Sequence, residues 1–237
     1  MTTPRARARA RTMADIVRIG RDHLASDGAA ALSLRAVARD LGVVSSAVYR
    51  YVASRDELLT LLVVDAYDEL GDTVDAAVDA VAPDDWWQQF QALGCAVRAW
   101  ALREPSRYAL IFGSPVPGYH APAERTTGPG TRVVVRLVGI LAAAHAAGRL
   151  HAPESIPAPD VLAADLDRIR RELEIDLPDA LLARGVLVWA GLFGAVNFEA
   201  FGQYGPDTFG DPAALFEHHL AVLAETAGFD GPTRPTR

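Results

Sequence analysis

Between residues 33 and 52 the chain reads SLRAVARDLGVVSSAVYRYV, and its polar residues fall on one side of two short helices. Val37 and Leu41 sit four apart with Ala38 beside them, and Val48 and Val52 repeat that spacing further on. Ser45, Ala47, Tyr49, Arg50 and Tyr51 are then left for the outer face of the second helix. Their chemistry suits nucleic acid. Ser and Tyr hydroxyls donate to phosphates or base edges, an alanine methyl can touch the methyl of thymine, and an arginine can read a guanine. Ser33 is placed to cap the first helix, and Ser45 or Ser46 to cap the second. Gly42 ends the first helix, where a left-handed residue costs least without a Cβ. A helix, a Gly-containing turn and a second helix form the helix-turn-helix pattern, whose second helix enters the major groove. A helical hairpin with a polar outer face and no DNA role would carry the same spacing, so the surroundings must decide.

Charge is the first of those surroundings. The chain of 237 residues has a net charge of −7 and contains no lysine. Through Arg55 there are ten arginines against four aspartates, which gives +6 there and −13 for the remainder. A basic module on an acidic body is what phosphate binding at one end requires. Residues 1–11 alternate arginine with alanine and read as a disordered basic arm, able to settle on phosphates or in a minor groove.

Helical periodicity then organises the rest. Thr12 and Asp15 form a capping box that opens a helix to about Ser26, with His23 as a packing residue. Ser54 and Glu57 form a second box, opening a long helix to about Val81 that Pro83 breaks. One helix is expected over Trp86–Arg103 and a short one over SRYALIF. Residues 113–130 are rich in Pro and Gly and read as a loop, with an apolar helix from Thr131 to Ala147. PESIPAPD reads as a linker, Val161–Leu173 as a charged helix, Pro178 to about Tyr204 as an apolar one, and Asp211-Pro212 as the start of the last. No convincing strand and no repeat is evident. The fold class is therefore all-α. Its parts are the arm, a helix-turn-helix domain over residues 12–58, and a helical ligand-binding and dimerisation domain over 59–237.

The segment from about Thr12 to Leu62 resembles the tetracycline-repressor (TetR) family of transcriptional regulators. DGAAALS, LRAVARDLGV, SSAVYRYV and SRDELL stand in that family's order and spacing. RAWALREPSRYALIFGSPVPGYHAP, with Trp189, Gly194, Glu199, Phe201 and Gly202, resembles the branch with a WHG-type C-terminal domain; Phe193 stands where that branch usually has His. The resemblance implies a dimeric, ligand-responsive repressor or activator. Matched position by position, it makes Arg35, Ser45, Ser46, Ala47, Tyr49 and Tyr51 the DNA contacts and Arg55 a phosphate clamp. Arg50 is the further candidate.

A single such motif covers only a few base pairs, so two copies on a near-palindromic operator are expected. The last two long helices are the candidates for a homodimer interface. Gly185, Gly191 and Gly194 would allow close approach there, and Leu215, Leu220, Val222 and Leu223 apolar contact. Trp100, Tyr108, Phe112, Trp189, Phe193 and Asn197 are the candidate lining of an effector cavity, which suits a small, largely apolar ligand. No GxSxG, Walker loop, HExxH or paired CxxC occurs, and adjacent His218 and His219 point apart on a helix. No enzymatic activity, metal or cofactor is expected. The lone Cys95, expected as a packed thiol, fits a reducing compartment. No membrane span is expected, since one takes an apolar run of ~20 residues. These features give a cytoplasmic, repressor-type reading released from DNA by ligand. The alternative is a ligand-sensing helical protein without DNA activity, which leaves the basic first quarter unexplained.

Overall fold

The computed structural model describes residues 3–151 and 159–229, and the described residues form ten α-helices and two short 3-10 turns. The helices are α1 Pro4–Asp27, α2 Leu34–Asp40, α3 Ser45–Val48, α4 Arg55–Asp79 and α5 Trp86–Arg103. They continue with α6 Pro105–Phe112, α7 Ala123–Ala146, α8 Ala163–Leu173, α9 Asp179–Ala200 and α10 Pro212–Ala227. Among the described residues the only β-pairing is an isolated bridge between Leu150 and Phe229. Most of the linker expected at PESIPAPD lies outside the described residues.

Contacts divide the chain into two units. One comprises the chain up to Glu69 together with Glu104–Gly130; the other comprises Leu70–Arg103 and the chain from Thr131 onward. The sequence had suggested one boundary after residue 58. Instead α6 and the segment after it return to the first unit, for reasons visible in their side chains. Arg107 of α6, only 3% exposed, donates to Asp65 at 2.9 Å and Glu69 at 2.5 Å. Arg125 holds Glu57 at 2.9 Å, and the Thr60 and Tyr119 hydroxyls lie 3.0 Å apart.

Two expectations about loops fail. Residues 4–11 are not a disordered arm but the first turns of α1, which opens at Thr3 with its Oγ1 accepting from the Ala6 N–H at 3.2 Å. Thr3-Pro4 is a cap followed by proline at the first helical position, and alanine and arginine are both strong helix formers. Thr12, expected to cap, instead bonds back to the Ala8 carbonyl within the helix. Similarly, α7 starts eight residues before Thr131 and carries Pro129 inside it. An interior proline removes one helical hydrogen bond. Here the Arg125–Glu57 pair holds the helix before the proline, and the Arg132 contacts with Asp72 and Asp75 at 2.7 Å hold it after.

Other expectations hold. Trp86–Arg103 forms one helix and Gly42 takes φ +73°. Ser54 accepts from the Glu57 N–H at 3.1 Å, as a capping box requires. Asp211 caps α10 through the Ala214 N–H at 3.0 Å. In contrast to the sequence reading, α9 is a 22-residue helix that contains an 18-residue stretch with a mean hydropathy of 1.6, long and apolar enough to cross a bilayer by length and composition only. It packs on α5 and α10, and Arg98 donates to its Glu199 at 2.7 Å. That is the setting of a core helix.

Candidate nucleic-acid interface and ligand-binding unit

The first unit builds its candidate reading surface on an apolar core. Ile16, Ile19, Val37, Ala38, Val48, Val52, Leu58 and Leu62 are at most 5% exposed, and they come from α1, α2, the α3 segment and α4. With Val48 and Val52 turned inward, the remaining faces of residues 45–51 must turn out. Ser46, Tyr49 and Arg50 are exposed, and Ser45, Ala47 and Tyr51 are half-buried. Arg35 is exposed on α2. The capping details differ from expectation. Ser33 and Val44 stand at the two N-cap positions, neither with a side-chain bond, so Ser45 and Ser46 lie inside α3 with their hydroxyls not used as caps.

Two predicted contacts have other partners. The Arg55 guanidinium donates to the Ala29 and Ala30 carbonyls at 2.9 and 3.3 Å, so it fastens the 3-10 turn after α1 to the start of α4. A phosphate at Arg55 would share a group already engaged. Tyr51 packs against the core of the unit, and the Arg9 guanidinium lies 5.1 Å from its ring centre. That geometry is a cation–π contact. It brings an arginine of the N-terminal turns beside the predicted reading helix, which sequence spacing alone could not show.

Further contacts and exposures escaped the sequence reading. His23 is tied to Asp40 at 2.6 Å, joining α1 to the end of α2. Bonds from His23 and then Arg39 hold the Asp40 carboxyl below its ordinary value. Val43 and Val44, 41% and 71% exposed, add apolar surface at the turn before α3. Arg21 and Arg107 share Asp65 and Glu69 in one charged cluster linking α1, α4 and α6. Arg21 is held above its ordinary value first by its bond to Asp65.

The six predicted ligand contacts separate into two groups. Tyr108 and Phe112 belong to the first unit, with ring centres 5.2 Å apart; Tyr108 is fully buried, and burial pushes its hydroxyl pKa up. Trp100, Trp189, Phe193 and Asn197 belong to the second. There Trp100 is fully buried, and the Trp189 and Phe193 rings lie 4.3 Å apart.

On α9 and α10 the small residues do different work from that expected. A side chain at Gly191 would meet Leu223 at 2.7 Å, and one at Gly185 would meet Leu141 at 3.1 Å. Leu220 is fully buried and presses on Gly94 of α5. These residues therefore serve the core of their own subunit. Gly194 is open, and Val186, Leu187, Phe198 and Val222 are each 46–58% exposed. A concavity of about 360 Å³ beside them is lined by Gly194, Phe198, Tyr204 and Val222 among others. Cys95 is also exposed, not packed inside; desolvation by its neighbours, with Glu217 adding, keeps its thiol pKa raised. No group of three or more metal-binding side chains occurs among the described residues.

Comparison with known proteins supplies a second line of observation. A family profile described as "Tetracyclin repressor-like, C-terminal domain" matches residues 90–223. The HTH-type transcriptional regulator Rv1816 of Mycobacterium tuberculosis is 50% identical over 222 residues, covering 92% of this chain and 94% of its own. The crystal structure of SCO4313 superposes with a TM-score of 0.76 at 36% identity, over 94% of this chain and all of that one. A tetR-family regulatory protein from Rhodococcus RHA1 shares the fold, with a TM-score of 0.60 at 15% identity over 92% of this chain and 97% of its own.

Proposed function

This chain belongs to the TetR family of DNA-binding transcriptional regulators, which are not enzymes, and from that premise we propose how its parts divide the work. The α3 segment enters the major groove of an operator. Ser46, Tyr49 and Arg50 face the bases, Ser45, Ala47 and Tyr51 lie alongside, and Arg35 reaches a phosphate from α2. The observation that carries this reading is the division of residues 45–52. Val48 and Val52 are at most 1% exposed, while Ser46 before them and Tyr49 and Arg50 between them stand in solvent. A hairpin serving only as scaffold has no need for an outward polar, aromatic and basic face beside a local charge of +6.

The working form is a homodimer joined through α9 and α10, acting in the cytoplasm. A small, largely apolar effector taken up by the second unit favours a dimer whose reading helices no longer match the half-site spacing. Repression relieved by ligand is the resulting mode.

The experiment is a fluorescence-anisotropy titration of the full-length protein on duplex fragments flanking its own coding region, repeated from about 50 to 200 mM salt. Affinity is expected to fall by orders of magnitude across that range, with one fragment preferred over unrelated DNA. Binding that ignores salt, or that shows no preference among fragments, would overturn the proposal.

A further inference from the structure

Among the described residues of the first unit, the exposed large hydrophobic side chains are Val43, Val44 and Tyr49. Single apolar residues scattered over a surface are ordinary. These three are not scattered. All fall within residues 43–49, on the turn and helix of the proposed reading surface, and Val44 is the extreme at 71% exposed.

The two valines differ in what the folded subunit asks of them. At the end of α2 the Val43 N–H donates to the Ala38 carbonyl and the Gly42 N–H to the Arg39 carbonyl, both at 3.0 Å, with Gly42 at φ +73°. That pair of bonds is a Schellman stop, and the motif favours an apolar residue at the place Val43 occupies, to pack back on the helix it ends. Val43 therefore has a use within the fold. Val44 has no such use. It stands at the N-cap of α3, a position that favours Ser, Thr, Asp or Asn for the bond their side chains return to the helix, and it makes no such bond. Its carbonyl accepts from the Ala47 N–H at 2.9 Å, which fixes the valine at the head of α3. A side chain that forgoes the cap and stays in water gains its value in a complex.

The apolar group that base pairs present in the major groove is the C5-methyl of thymine. Ala47, three residues on, is half-buried, so Val44 is the more exposed of the two apolar side chains able to meet it. We propose that Val44 is a specificity-determining residue that selects a thymine in each half-site by packing on its C5-methyl. The inference rests on entry of the α3 segment into the major groove, and adds to that reading one residue and the base it recognises.

The test uses a duplex enriched from random-sequence DNA by the full-length protein. Each thymine in turn is replaced by uracil, which removes the methyl and keeps the hydrogen-bonding edge. For the native chain, one thymine position is expected to lose about fourfold in affinity per half-site. In Val44→Ser that penalty should vanish while those at other thymines remain, and Val44→Ile, still apolar, should retain it. Serine is a favoured capping residue, so the melting temperature of Val44→Ser should not fall below the native value, which separates lost discrimination from lost folding. Selective binding with no uracil-sensitive thymine overturns the proposal and leaves groove entry standing. A penalty that persists in Val44→Ser, or that vanishes only in Ala47→Gly, also overturns it. Failure to enrich any sequence overturns groove entry itself, and this inference with it.

Discussion

Tyr51 illustrates how one side chain can serve both core and surface. Its ring packs on the first unit while its face receives Arg9, so the tyrosine holds an arginine at a fixed place beside the proposed reading helix. Arg9→Ala is accordingly expected to weaken binding about equally on operator and unrelated duplex and to lower the salt slope by about one. An unchanged slope would show that Arg9 does not meet a phosphate. Tyr49→Phe, on an exposed residue, should instead narrow the preference for operator and leave the slope intact. Arg107 makes a different demand. Its side chain is 4% exposed and holds Asp65 and Glu69 together. Arg107→Met would leave those carboxylates facing one another, and about 3 kcal/mol of stability should be lost in urea unfolding. Asp40 carries a pH signature whose sign is fixed. Its folded pKa is lowered by His23 and Arg39, so its contribution is present above the ordinary unfolded carboxylate value and disappears as pH falls through the folded one. The melting-temperature gap between the native chain and Asp40→Asn should therefore close on acidification, and a gap that widens would remove Asp40 from the account.

Elements whose signals are local were readable before the fold was known. Trp86–Arg103 carries an unbroken apolar period and stops before Pro105, and Gly42 takes the left-handed turn that its position required. Elements held by distant partners were not readable. Arg107 lies in SRYALIF, where it looks like a surface arginine, and only the approach of α4 makes it a buried one. The same limit hid the start of α7. GPG at residues 128–130 is a local instruction to break, overridden by Arg125 on Glu57 before it and Arg132 on Asp72 and Asp75 after it. At the binding surfaces, helical spacing placed Tyr49 and Arg50 outward, but it did not show the half-burial of Ser45, Ala47 and Tyr51 or the engagement of Arg55 with Ala29 and Ala30. If α7 is held in this way, Pro129→Ala restores a hydrogen-bond donor to an existing helix and should raise the melting temperature, by up to about 3 kcal/mol in stability. A lower melting temperature would mean that the proline fixes a bend the fold requires.

At the scale of the whole molecule, apolar surface left uncovered by one subunit calls for a second. Val186, Leu187, Phe198 and Val222 are 46–58% exposed on α9 and α10, whereas Gly185, Gly191 and Leu220 are used within the subunit. A surface of this kind supports the proposed homodimer interface. Leu187 is 58% exposed, so Leu187→Glu should leave the subunit folded while placing a charge where a partner must close. Sedimentation velocity is expected to report a monomer and circular dichroism an unchanged helix content. Operator affinity should fall at least about a hundredfold, because a lone reading segment contacts one half-site and the second contact is no longer tethered to it. Affinity for unrelated duplex at low salt should fall much less, since the basic residues up to Arg55 are untouched. A dimer that persists with Glu at 187 would move the interface to another face. A monomer that still held the operator at full strength would sever the link between assembly and recognition, and with it the requirement that an effector act by respacing two reading helices.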